Sequence, residues 1–191
     1  MAYAVSIFLG LGLAAGSGFR LFVPLLITNV AAQLGYVHFG SGFEWMGSWP
    51  AFAVFATATL AEIAAYYIPW LDNLFDAIGT PLAVVAGTIL TSSFITGMDP
   101  MLRWVLAIIC GGGVAGIIKA GTAVIRLGSS AITGGLGNSI LATLENFISI
   151  LFSVLAVFIP VLAGISGIIV ACFSLNKVLR RKSVKEKKET P

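Results

Sequence analysis

Five stretches of the chain are apolar over fifteen residues or more: Ala2 to Leu34, Pro50 to Ile68, Pro81 to Ile95, Pro100 to Ile125 and Ser139 to Leu175. A bilayer core of ~30 Å takes about 20 apolar residues per helical span, so the pattern predicts membrane-crossing helices. Asp99-Pro100 and Thr80-Pro81 each place a capping side chain before a proline suited to a first helical turn. Both read as helix starts, as do Asn138-Ser139 and Gly47-Ser48-Trp49-Pro50. The last run, at 37 residues, is too long for one span, and Pro160 with Gly164 and Gly167 offers a place to turn or kink. Split there, the chain is expected to be an all-α polytopic membrane helix bundle of about six transmembrane helices, at 2–34, 50–68, 81–97, 100–127, 139–159 and 161–176. Unsplit, residues 139–176 would be one kinked helix. All four tryptophans, Trp45, Trp49, Trp70 and Trp104, fall at the edges of the runs, the headgroup level that suits an amphipathic ring.

Composition agrees: 58% of the 191 residues are hydrophobic and 10% charged, against roughly 25% charged in soluble domains. The length leaves room for one membrane domain, residues 1–176, and a tail. Seven of the eleven Lys and Arg residues lie from Lys177 onward, so the net charge of +3 belongs to residues 177–191. That segment is expected to be a disordered cytoplasmic tail touching anionic lipid headgroups, not a nucleic-acid surface. The positive-inside rule and an even span count put both termini in the cytoplasm, with Arg126 and the Asp72/Asp76 loop on the same side. The N-terminal run lacks the basic start of a secretory signal and reads as the first span. Cys110 and Cys172 lie inside apolar runs and make no metal pattern.

A repeat is faintly visible. Gly12-x-x-x-Gly16 leads to Arg20, and Gly112-x-x-x-Gly116 leads to Lys119. Each is a small-residue stripe ending in a cation. Two later spans each close on an Ile-Pro step, Ile68-Pro69 and Ile159-Pro160. Three spans per half would insert the halves, 1–98 and 99–176, upside down relative to each other, a plan recurrent in transporters with interrupted first helices. The competing reading is that Gly-rich stripes serve packing alone. The string Gly111-x-Gly113-x-x-Gly116 matches a dinucleotide fingerprint, but it follows no strand and sits mid-span, so it is read as packing.

Four ionisable residues fall inside predicted spans, Arg20, Glu62, Lys119 and Glu145, two cations and two anions. A charge at mid-bilayer costs at least ~2.5–3.5 kcal/mol, so such residues pair, face the bundle interior and mark pathways. The expected pairs are Arg20–Glu62 and Lys119–Glu145, with Glu62 the deepest acid and the first helix interrupted at Gly16-Ser17-Gly18. The pairs either bind substrate or ions, or only tie helices together. The segment Asp72-Asn73-Leu74-Phe75-Asp76-Ala77-Ile78-Gly79 is expected to be a short interfacial helix capped by Asp72 and stopped by Gly79. Asp72, Asn73 and Asp76 there would form a gate or anchor, short of the six to eight oxygens that calcium takes. His38 is the single histidine, so no zinc centre or His-based triad is available. No cofactor, metal or enzymatic activity is expected.

The ordered set of the Gly-rich segment into Arg20, Gly47-Ser48-Trp49-Pro50, Glu62, Asp72-Asn73-x-x-Asp76 with Gly79-Thr80, Lys119 with Arg126, and Gly137-Asn138 before Glu145 resembles a family. It is a family of small bacterial inner-membrane proteins catalogued as a domain of unknown function, number forty-one twenty-six. The family pattern has Asn-Pro and Glu-Asp where this chain has Asn138-Ser139 and Glu145-Asn146, which removes a second acid from that position. The resemblance implies a bacterial membrane location and supplies no activity. From the residues themselves, the expected function is a small secondary transporter or permease for an anionic solute, proton- or cation-coupled and free of any cofactor, acting as a monomer or homodimer. The alternative is a non-transporting membrane scaffold or assembly protein whose ion pairs are structural, with a lipid-modifying enzyme third for want of a nucleophile.

Overall fold

A computed structural model describes residues 2–134 and 137–189, with side chains at 4–68, 78–134 and 137–180. Among the described residues the fold is all-helical, in the order α1 (Ala2–Phe19), α2 (Phe22–Gln33), α3 (Trp49–Ala65), α4 (Pro69–Phe94), α5 (Pro100–Leu106), α6 (Gly113–Thr133), α7 (Gly137–Phe158) and α8 (Pro160–Glu189). A 3-10 turn at Glu44–Gly47 precedes α3, and a π-helical stretch, Ala107–Gly112, joins α5 to α6.

The chain's own chemistry explains most of these boundaries. Ser48 caps α3 by accepting the Ala51 N–H, and Asp99 caps α5 by accepting from Met101 and Leu102. Pro160 restarts the helix one residue after α7 ends, so the long last run is two helices. Gly35, at φ +79°, closes α2: its N–H reaches the Ala32 carbonyl while Tyr36 N–H reaches Ala31, a Schellman arrangement.

Three expectations need correction. The first helix does not break at Gly16-Ser17-Gly18, which stay within α1; it breaks at Arg20-Leu21. Pro24 sets that point, because in a continuous helix its ring would strike the carbonyl of Arg20, four residues earlier. Thr80-Pro81 does not start a helix: Pro69 does, and Pro81 lies inside α4, exposed on its surface. Gly79 consequently stops nothing, and residues 72, 73 and 76 belong to α4 rather than to a separate interfacial element. The side chains of Asp72, Asn73 and Asp76 lie outside the described residues. Asn138 stands inside α7 and donates to the Ser130 hydroxyl at 3.0 Å, tying α6 to α7.

At the centre is α1, apolar all round, with Leu13, Ala14 and Ala15 fully buried among α4, α6, α7 and α8. Its glycines admit the neighbours: a Cβ on Gly12 would sit 2.7 Å from that of Ala163 on α8. The corresponding stripe on α6 meets α4, with a Cβ on Gly116 falling 2.6 Å from Val84. Pro100–Thr133, Gly137–Phe158 and Pro160–Arg180 are long and apolar enough to cross a membrane. Their outward faces carry exposed Phe147, Ile150, Phe158, Ile169 and Phe173, as fits a membrane protein.

Candidate functional site

The break in the first helix creates the site. A continuous helix would bond the N–H groups of Leu21 and Phe22 to carbonyls one turn back, and the break leaves both free. The carboxylate of Glu62 takes them, at 2.8 Å from Leu21 N and 3.0 Å from Phe22 N. The positive end of α2 thus faces an anion supplied by α3. Glu62 lies in the last turn of α3, which ends at Ala65, and not in mid-helix as its run suggested. A carboxylate is ill placed beside a helix C-terminus, and the two α2 amides compensate.

Arg20 leaves α1 at the same break. Its guanidinium lies 3.8 Å from the centroid of the Tyr66 ring, donates from Nη2 to the Ala142 carbonyl at 2.8 Å, and sits 3.4 Å from Glu145. Arg126, expected at a span end, is buried beside it. Its Nε and Nη2 fork onto both oxygens of Glu145 at 3.1 and 2.5 Å. Lys119 Nζ donates to the Tyr66 hydroxyl at 2.7 Å, and its stem crosses Gly79, where a Cβ would fall 2.5 Å from Lys119 Cε. A side chain at position 79 would have to push the end of Lys119 aside. Tyr66 therefore gathers three cations, with Arg126 and Lys119 at 4.5 and 5.1 Å from its ring centroid.

All four ionisable residues singled out in the sequence, Arg20, Glu62, Lys119 and Glu145, thus meet in one buried centre, with different partners from those expected. Arg20 pairs with Glu145 instead of Glu62, because Glu62 is held by backbone amides; Lys119 reaches Tyr66 instead of Glu145, because Arg126 already holds that carboxylate. Exposure is 0% for Arg20, 1% for Glu62, Lys119 and Arg126, and 6% for Glu145. Two members escaped the sequence reading. Tyr66 follows Glu62 by four residues and Arg126 follows Lys119 by seven, spacings that put each on its partner's helical face.

Part of the centre is not satisfied from within. Among the described residues Arg20 Nε and Nη1 have no hydrogen-bond partner, and neither do the buried hydroxyls of Ser17 and Thr59. Ser17 lies one turn before Arg20 on α1 and Thr59 one turn before Glu62 on α3. Such a set of donors suits oxygen atoms carrying negative charge. Among the described residues no three His, Cys, Asp or Glu side chains cluster as a metal site would require. His38 lines a separate surface hollow with Phe39 and Glu44.

No curated protein and no solved structure matches the chain. The family described as Domain of unknown function (DUF4126) matches residues 7–180. With its interrupted helix and buried charge centre both inside that span, the chain belongs to this family of unassigned activity.

Proposed function

We propose that the protein is a small secondary transporter or permease for an anionic solute, multi-pass in the bacterial inner membrane with both termini cytoplasmic. The observation that carries the reading is Arg20: a fully buried guanidinium at a helix break, with two nitrogens that have no hydrogen-bond partner among the described residues. A buried unsatisfied donor costs about 1–3 kcal/mol, more when charged, so such a group is a natural receiver for a solute's oxygens. Transporters place half-helix N-termini at anionic solutes. Here Glu62 occupies the α2 N-terminus, and its protonation would release those amides, coupling solute binding to a proton. The burial of the centre fits an occluded conformation.

An inverted repeat belongs to this reading. In each half an interrupted helix, α1–α2 or α5–α6, precedes a single helix, then an Ile-Pro step that opens a long helix. Gly12 packs on α8 and Gly116 on α4, in each case the long helix of the other half. Topology is tested by single cysteines at Phe39, Asp76, Ser129 and Glu186: external label should reach only Phe39→Cys, and labelling of Ser129→Cys overturns six spans with internal termini.

Full burial also favours the scaffold reading, in which the charges only lock helices. Proteoliposomes separate the two. Under an imposed proton gradient, wild type should take up small carboxylates or oxyanions, and Arg20→Gln and Glu62→Gln should abolish uptake while remaining folded. Absence of flux for every tested anion, with both variants merely less stable, would favour the scaffold.

A further inference from the structure

We infer that the groove between α4, α6 and α8 is a binding site for one anionic phospholipid, independent of the transport reading. The groove has a volume of about 430 Å³ and is lined by Thr80 and Val84 of α4, Ile108 of the π-helical stretch, Gly113 and Ala120 of α6, and Val178 of α8. Its walls are almost wholly apolar, and the chain neighbours of its lining residues Ile108 and Val178, Ile109 and Leu179, are exposed apolar side chains. From Ile108 to Ala120 is twelve residues, or ~18 Å at the helical rise, about the depth of one leaflet in a ~30 Å hydrocarbon core. That length suits an acyl chain lying along α6.

Charge at one end selects the headgroup. Gly79 lies against Lys119, and Gly121 against Ser174, so Thr80, Ala120, Leu175 and Val178 share the same end of the groove. Lys177 and Arg180 stand in the turn of α8 that carries Val178, and both are exposed. The chain then adds Arg181, Lys182, Lys185, Lys187 and Lys188. An apolar slot one leaflet deep, ending at a basic turn, matches a diacyl lipid with a negative headgroup better than a second copy of the same basic surface, which would bring like charges together.

Gly113 provides a clean test, since a Cβ there meets nothing within 4 Å. A larger side chain fills the groove without disturbing helix packing. Native mass spectrometry of the full chain in detergent, given dioleoyl phosphatidylglycerol or dioleoyl phosphatidylcholine, should show wild type retaining the anionic lipid preferentially. Gly113→Leu should lose both lipids at unchanged melting temperature. Lys177→Ala with Arg180→Ala should keep chain binding but lose the preference by about fivefold per charge removed. Ala120→Leu, at the basic end, replaces Gly113→Leu if that variant fails to fold. Equal retention of the two lipids by wild type overturns the proposal, as does wild-type lipid retention by a folded groove-filled variant. Conversion of a dimer to a monomer by Gly113→Leu, with lipid content unchanged, would assign the face to a second copy instead.

Discussion

Replacing Glu62 by glutamine isolates the contact that holds the broken helix together. The carboxylate accepts from Leu21 N and Phe22 N at 2.8 and 3.0 Å. Glutamine offers one acceptor oxygen and turns an NH₂ donor toward the other amide. One charge-assisted bond is lost and the second becomes neutral. With bonds to charged groups worth ~1.5–3 kcal/mol and neutral ones about half that, the expected loss is about 2–4 kcal/mol. Arg20 is not stranded by the change, because its counter-charge is Glu145. The loss should therefore be local, and amide hydrogen exchange in detergent or nanodiscs can see it. The Leu21 and Phe22 amides should exchange roughly 30- to 700-fold faster, the exponential of that energy. The Met101 and Leu102 amides, held by Asp99 at the start of α5, should be unchanged. Wild-type exchange rates at Leu21 and Phe22 in the variant would refute the assignment of Glu62 as their acceptor. Loss of protection spread evenly through α4 to α8 would refute its local character.

Glu145→Gln should be the more damaging change, by about 3–5 kcal/mol in unfolding free energy, since it removes the one carboxylate that two buried guanidinium groups, Arg20 and Arg126, share. Adding Arg126→Met should recover part of that loss in a double-mutant cycle, and strict additivity would contradict the fork. Tyr66→Phe should cost about 1–2 kcal/mol through the Lys119 hydrogen bond while keeping the ring under Arg20; Tyr66→Leu, which removes both, should cost measurably more in the same melt. Gly111→Ala should destabilise by about 1–3 kcal/mol, because its Cβ would lie 2.5 Å from the Gly87 carbonyl oxygen. Gly113→Ala, two residues on with nothing near its Cβ, should be neutral or gain up to ~1 kcal/mol of helix propensity; equal melting of the two variants would mean that α4 and the π-helical stretch are not in backbone contact.

What the sequence determined by itself is what depends on the chain within a few residues of each position. The apolar runs form helices, Ser48 and Asp99 cap the helices they precede, and Pro160 divides the last run. The family was also legible, in an ordered set of polar residues across residues 7–180. The four buried charges were identifiable as well, because an ionisable group in an apolar helix has few places to go except inward. Even the break at Arg20 had a local cause in Pro24, four residues ahead, although the glycines before it drew the reading elsewhere. Only the tertiary structure decided who meets whom. Pro81 stands inside a helix that a proline would often end, because α4 as a whole packs on α1 and α6. Gly79 lies inside α4, where the Lys119 side chain passes it. The choice of Glu145 for both arginines, of two α2 amides for Glu62 and of Tyr66 as the hub depends on α3, α6 and α7 converging on one helix break. Helix spacing in a sequence fixes which residues share a face, while charge pairing is set by distances between faces, and those exist only once the helices are packed.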